Sequence, residues 1–147
     1  MASKISSGIG YVDHLLGFLK TGDNVIWEVE AGTYIETFLQ RFIEHNLKSG
    51  YKLVYVSFNV SPSTLTKRLA HLSHLEYLTI LDCFTSGKGN SDPLFGYFYE
   101  RGKEGFKGNV IKVENPKDLS QFRVAMDRVE IEMGAGVRYI FDSLTGM

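Results

Sequence analysis

Two short segments of the sequence contain residues whose types and spacing suit the binding of a phosphate group and a magnesium ion. Residues 30–37 follow an apolar run, lead into an amphipathic stretch, and include Gly32, Thr33 and Thr37. Because backbone N–H groups at the start of a helix bind phosphate, this position predicts a phosphate-binding loop. Further along the chain a hydrophobic run ends at Asp142. A carboxylate at the end of a strand can hold Mg²⁺ through its water shell.

The elements that must position these residues alternate between β-rich runs and helical periodicity. The strand candidates are residues 24–29, 52–58, 78–83, 110–113 and 138–142. Apolar residues at three- and four-residue spacing predict helices from residue 35 to Gly50, from Ser61 onward, over residues 92–101, and from Asp118 to Gly134. This order predicts an α/β fold with a mostly parallel sheet and helices on both of its faces.

Length and composition favour one soluble domain covering residues 1–147. Lys and Arg number 16 against 17 Asp and Glu, and the formal net charge of −1 argues against a broad surface for nucleic acid. Cys83 is the only cysteine, which excludes an intramolecular disulfide and fits a reducing compartment. No apolar run approaches the roughly 18 residues of a membrane span, and the amino terminus lacks the apolar stretch of a signal peptide. We therefore expect a cytoplasmic protein without a membrane or nucleic-acid partner.

Three segments of the chain together resemble a known family. Residues 7–17 read SGIGYVDHLLG, residues 54–58 read VYVSF and precede Ser61-Pro62, and residues 142–144 read DSL. In this order and spacing they resemble the RecA/KaiC-like branch of the P-loop ATPases over nearly the whole chain. The resemblance implies a RecA-like three-layer core, with a nucleotide site made of the loop and the strand-end carboxylate described above.

The loop departs from the family at the positions that bind nucleotide. Aligning Phe38 with the family's phenylalanine places Tyr34 on the last loop glycine, Ile35 on the essential lysine and Glu36 on the magnesium-binding hydroxyl residue. Tyr34 adds bulk where the backbone must approach phosphate, and Ile35 removes the cation that neutralises the β- and γ-phosphates. Glu36 adds an anion, and like charges about 4 Å apart repel by roughly 4 kcal/mol at an effective dielectric near 20. The resemblance therefore implies a vestigial nucleotide site.

A second loss follows the next predicted strand. Members of the family carry acidic residues there that orient the attacking water, whereas this chain has Asn59-Val60. The carboxylate that would act as general base is therefore missing. The resemblance implies a non-catalytic RecA/KaiC-like domain, without a metal site or cofactor, that acts in regulation, signalling or assembly through protein contacts. The expected partner is a second copy of the chain, or another protein or domain.

Two other functions are open at this point. A divergent nucleotide-binding ATPase would bind ATP, use Asp142 for Mg²⁺, and replace the lost lysine with Lys88 or Arg138. A nucleic-acid-binding relative of the recombinases is disfavoured by the near-neutral charge. Asp142 also has a structural alternative, since an Asp at the end of a strand commonly caps the following turn.

Several smaller features carry structural expectations. Trp27 lies within a predicted strand and is expected in the core, and Cys83 is expected to be a small buried residue. His71 and His74 lack the partners of a zinc site, so we expect them on the surface. Residues 86–90 (SGKGN) lack the first glycine and the hydroxyl of a phosphate loop, which favours an ordinary loop over a phosphate site.

The RecA/KaiC-like family normally continues past the strand that ends at Asp142. One of its later strands lies between that strand and the phosphate-loop strand, and this chain reaches Met147 before any such segment. The resemblance therefore implies a core truncated after Asp142, as part of a longer gene product or as a reduced fold. Either form leaves a sheet edge exposed, which favours self-association.

Overall fold

The computed structural model describes residues 3–89 and 91–146, and it contains helices and strands in alternation. The strands are β1 (Lys4–Ile5), β2 (Leu19–Lys20), β3 (Leu53–Ser57), β4 (Leu78–Asp82), β5 (Asn109–Lys112) and β6 (Arg138–Asp142). The helices are α1 (Gly10–Leu16), α2 (Ile35–Lys48), α3 (Pro62–Leu69), α4 (Pro93–Gly102) and α5 (Leu119–Met133). Strands β3 to β6 each lie within one residue of their predicted bounds.

Four of these strands form an all-parallel sheet in the order β5-β4-β3-β6. Every residue of β3 and β4 is buried, as their continuous apolar runs predict for strands covered on both faces. One apolar cluster joins the sheet to α2 and α3, with Ile43, Leu65 and Ile80 among its members. The other joins the opposite face to α5 through Val56 and Val129. The predicted α/β architecture, with helices on both faces of a parallel sheet, is confirmed.

Helix ends are set by local capping. The Ser61 hydroxyl oxygen accepts a hydrogen bond of 3.2 Å from the N–H of Thr64, and Pro62 occupies the first helical position of α3. Asp118 caps α5 by accepting from the N–H of Ser120 at 2.9 Å. These caps explain why the helix starts were readable from the sequence.

The predicted strand at residues 24–29 does not form. All of residues 21–30 are exposed and lack regular structure. The expectation that Trp27 lies in the core is also wrong, because the residue is 47% exposed; its ring centroid lies 5.6 Å from that of Phe38. A β-rich run becomes a strand only when a neighbouring strand satisfies its backbone groups, and no strand of the described sheet pairs with this one.

The amino-terminal segment is built around Asp13 and Gly8. β1 and β2 pair antiparallel on either side of α1. The Asp13 carboxylate accepts hydrogen bonds from the N–H and hydroxyl of Ser7, both at 2.7 Å, and from the hydroxyl of Ser6. Gly8 has φ +81° and passes so close to α2 that a Cβ would overlap the carbonyl of Arg41. Residues 7–17 therefore have a structural role, because they anchor α1 to α2.

Candidate functional site at the carboxyl edge of the sheet

Three polar residues end neighbouring strands at the same level of the sheet. The parallel register pairs Ser57 with Asp82 on one side and with Asp142 on the other. Ligands of open α/β sheets bind outside the carboxyl ends of the strands, so this row marks the candidate site. Ser57 and Asp82 are fully buried, whereas Asp142 is partly exposed at the end of the edge strand. Of the three, Asp142 is the one whose carboxylate reaches solvent.

Asp142 is held by a tyrosine of the central strand. The hydroxyl of Tyr55 donates to Asp142 Oδ2 at 2.5 Å. Burial of the ring, followed by the hydrogen bond to Asp142 and its charge, raises the pKa of Tyr55 above its ordinary value of 10.0. The hydroxyl is therefore protonated at neutral pH and serves as the donor. The sequence suggested Asp142 as a Mg²⁺ ligand or as the cap of the following turn. Neither interpretation included Tyr55, because the two residues are 87 positions apart in the sequence.

Two charged side chains outside the pair act on Tyr55. The charge of Arg68 near the end of α3 lowers the pKa of Tyr55, and the charge of Glu36 in α2 raises it. Both influences are smaller than burial and the contact with Asp142. Glu36 lies in the first turn of α2, and a carboxylate at this end of a helix opposes a phosphate group.

The loop residues predicted to hold phosphate form an exposed turn. Gly32 has φ +87°, and Gly32, Thr33 and Thr37 are all exposed. The N–H of Thr33 donates to Glu30 at 3.2 Å, and the N–H of Thr37 donates to Tyr34 at 3.3 Å. The N–H of Ile35 likewise donates to the carbonyl of Thr33 at 3.0 Å. Three amides that a phosphate would need already bond to backbone carbonyls of the same turn.

The loop after β3 is tied to the end of β6. The Asn59 side-chain amide donates to the Ser143 hydroxyl at 2.6 Å, and the hydroxyls of Ser143 and Thr145 lie 2.7 Å apart. Asn59 is one of the two residues that the predicted resemblance aligns with the acidic residues of the RecA/KaiC-like family. Its amide links two loops at the candidate site, and it supplies no carboxylate to act as a base.

The two cations considered as replacements for the lost lysine both contact aromatic rings. Arg138 begins β6, and Asp142 ends it, so about 13 Å of extended strand separates them. The Arg138 guanidinium lies 3.5 Å from the ring centroid of Tyr51 and donates to Asn46. Lys88 follows β4, with its ammonium 4.9 Å from the ring centroid of Phe84. Arg138 is therefore wrong as a phosphate-binding cation beside Asp142.

A second polar cluster was not predicted from the sequence. The buried Asp82 accepts hydrogen bonds from the N–H groups of Phe84 and Thr85, both at 3.0 Å, and from the hydroxyl of Tyr99 at 2.9 Å. Burial and then the charge of Asp82 raise the pKa of Tyr99. Asp82 thus fixes the loop after β4 and docks α4 onto the sheet. The sequence signal, an Asp at the end of a buried strand, is the same as that of Asp142.

Above Tyr99 lies a shallow cleft of about 490 Å³ beside α4. Lys103 and Lys112 place their ammonium groups 4.8 and 5.4 Å from the centroid of the Tyr99 ring. Each lysine also pairs with a glutamate, Lys103 with Glu100 at 3.0 Å and Lys112 with Glu114 at 3.5 Å. The neighbouring residue Asn90, part of the predicted loop at residues 86–90, lies outside the described residues. Both lysines of the cleft therefore have acidic and aromatic neighbours within the protein.

The remaining candidates have structural surroundings. Cys83 is buried, and His71 and His74 are exposed, as predicted. Within residues 3–89 and 91–146, no group of three or more His, Cys, Asp or Glu side chains is arranged to hold a metal ion. Over the same residues, no helix has the length and apolar character needed to cross a membrane.

Comparisons with known proteins do not assign a family. No model of a known protein family matches the chain, and no match is found among curated proteins or solved structures. The resemblance to the RecA/KaiC-like branch therefore stays a prediction from the sequence.

Proposed function

We propose that this chain is a non-catalytic α/β module of the RecA/KaiC-like type, which acts through protein contacts and not by hydrolysing nucleotide. The observation that carries the proposal is the hydrogen bond from Tyr55 to Asp142. The charge of Glu36, in the first turn of α2, also acts on this tyrosine. The residue suited to Mg²⁺ is thus engaged within the protein. The helix start that should face phosphate contributes a negative charge.

The turn before α2 supports the same proposal. Its amides at Thr33, Ile35 and Thr37 are occupied by backbone carbonyls, and Tyr34 stands fully in solvent at the start of the helix. A phosphate would have to break these contacts and also approach Glu36. A P-loop, in contrast, offers free amides and a lysine to its ligand.

Exposed apolar side chains support a role in protein contacts. Val25, Ile26 and Trp27 are exposed on the amino-terminal side, and Phe141 is exposed on β6. Single exposed apolar residues are ordinary, but runs of them favour an interaction surface. A module without a working nucleotide site would use such surfaces to bind its partner.

Phosphate release from Mg-ATP tests the absence of catalysis. The wild-type protein is expected to release phosphate no faster than a blank without protein. Asp142→Ala is the matched variant, because an ATPase that used this carboxylate for Mg²⁺ would lose its activity on this substitution. Release by the wild type that disappears in Asp142→Ala would overturn the proposal.

A divergent ATPase is the second candidate, favoured by one observation. The charge of Arg68 lowers the pKa of Tyr55, so a cation acts electrostatically on the residue that donates to Asp142. Under this alternative Arg68 takes the role of the lost lysine. It predicts phosphate release that Arg68→Ala abolishes and that Arg138→Ala leaves unchanged.

A further inference from the structure

The edge of the sheet at β6 has backbone groups that face away from the sheet. The N–H of Arg138 donates to Lys52, and the carbonyl of Asp142 accepts from Phe58. Successive residues of a strand point their backbone groups to opposite sides, so Tyr139 and Phe141 direct theirs away from β3. Among the described residues β6 pairs with β3 alone. Such an edge is a template for one more strand.

The side chains of this edge form an apolar surface. The rings of Tyr139 and Phe141 stack with centroids 6.1 Å apart, on the face of the sheet that α5 covers. The Phe141 side chain is 42% exposed. The opposite edge of the sheet differs, because β5 (NVIK) has no aromatic side chain. β6 is therefore the edge that offers stacked rings to an added strand.

The same chain contains a strand-forming segment without a strand partner. Residues 24–29 (NVIWEV) are exposed throughout and take part in none of the described strand pairs. In an extended conformation Val25, Trp27 and Val29 would share one face. That face matches the stacked rings of Tyr139 and Phe141, because aromatic and β-branched side chains pair favourably across strands.

We propose that two copies of the chain associate by strand addition, with residues 24–29 of one copy pairing with the β6 edge of the other. The exchange is reciprocal, so one two-fold axis produces two identical contacts. An antiparallel arrangement brings Glu28 towards Arg138, whereas a parallel one brings it towards Asp142. Charge complementarity therefore favours the antiparallel arrangement. The inference deepens the proposed function, since it names the partner and the surface of a module that acts through protein contacts.

The single tryptophan of the chain makes this association measurable. Mass measured by light scattering after size-exclusion chromatography is expected to rise with concentration from the 16.6 kDa of one chain to that of two. Because Trp27 becomes buried in the added strand, its fluorescence emission should shift to shorter wavelength over the same concentration range. A wild-type protein that stays monomeric at every concentration would overturn the inference.

Two variants test the two sides of the contact. Ile26→Pro prevents residues 24–29 from pairing as a strand, and it replaces a residue that is 81% exposed in the single chain. Phe141→Lys places a charge on the β6 edge. Both are expected to remain monomeric, with no shift in Trp27 emission. Ile131→Lys is the matched control, because Ile131 is 84% exposed on α5 and belongs neither to β6 nor to residues 24–29. This variant should associate like the wild type.

Association that survives both Ile26→Pro and Phe141→Lys would contradict the inference, as would its loss in Ile131→Lys alone. Circular dichroism of each variant checks that the sheet is retained. Failure of this inference appears as a protein that stays monomeric. Failure of the proposed function appears as phosphate release from Mg-ATP, which is a separate measurement.

Discussion

The hydroxyl of Tyr55, in the middle of the central strand, donates a 2.5 Å hydrogen bond to Asp142 at the end of the edge strand β6. This bond joins the strand-end carboxylate that was predicted to hold Mg²⁺ to a buried tyrosine of β3. It gives Asp142 a protein partner, and it secures β6 to β3 at the carboxyl edge of the sheet.

Tyr55→Phe removes the hydroxyl and leaves the ring in place. We expect it to lower the free energy of unfolding by about 2 kcal/mol, because Asp142 loses a donor to its charged carboxylate. Urea unfolding at pH 7 measures the change. Tyr11→Phe is the control, since Tyr11 is exposed and should alter stability little.

The same bond predicts a dependence on alkaline pH. The pKa of Tyr55 is raised in the folded protein, first by burial and then by Asp142, so its contribution to stability is present below pH 10.0 and is lost as the pH rises through the folded pKa. The free energy of unfolding, measured from pH 8 to 11, should fall more steeply with rising pH in the wild type than in Tyr55→Phe. Equal slopes in the two proteins would contradict this assignment.

Asp13 predicts a dependence on acidic pH. Burial opposes ionisation of its carboxyl, but hydrogen bonds from Ser6 and Ser7 outweigh it and lower the pKa below 3.8. Its contribution to stability is therefore present above pH 3.8 and is lost as the pH falls through the folded pKa. Asp13→Asn should have a lower free energy of unfolding than the wild type at pH 6, and that free energy should fall less than the wild type's on acidification.

Urea unfolding between pH 2.5 and 6 measures both effects. Asp127→Asn is the matched control, because Asp127 is exposed on α5 and pairs only loosely with Arg123, at 3.9 Å. An acid profile of Asp13→Asn that parallels the wild type would show that Asp13 does not contribute in this way.

Gly8→Ala tests the contact between the amino-terminal segment and α2. The new Cβ would overlap the carbonyl of Arg41, and φ +81° is unfavourable for alanine, so we expect a loss of about 3 kcal/mol. Gly10→Ala is the control, since a Cβ there meets nothing within 4 Å and the residue is helical. Thermal unfolding compares the two. Similar melting temperatures for both variants would be inconsistent with close packing at Gly8.

Cys83 is expected to be unreactive in the folded protein. Burial, and then the charge of Asp82, raise the pKa of its thiol to about 12, so very little thiolate is present at pH 8. A thiol reagent such as dithionitrobenzoate should react slowly with native protein and should titrate one thiol per chain in denaturant. Rapid labelling of the native protein at pH 8 would refute the buried position.

Much of the fold was predictable because its signals are local. β3 and β4 are continuous apolar runs between turn residues, and Ser61 and Asp118 carry the caps of α3 and α5. These features depend on residues within a few positions of each other. The parallel sheet then follows from the alternation of strands and helices.

The candidate site was less predictable because its contacts are distant in sequence. Tyr55 and Asp142, and likewise Asp82 and Tyr99, meet only after the sheet has formed. Residues 24–29 have the composition of a strand, but composition does not specify a partner strand. Their exposure could be learned only from the order of the strands.

Calorimetric titration of the protein with Mg-ATP tests the central claim most directly. With Asp142 bonded to Tyr55 and Glu36 adding a negative charge in the first turn of α2, we expect no heat beyond that of dilution up to millimolar nucleotide. Asp142→Ala in parallel shows whether any heat arises at this site. A micromolar dissociation constant for the wild type that is lost in Asp142→Ala would contradict the account.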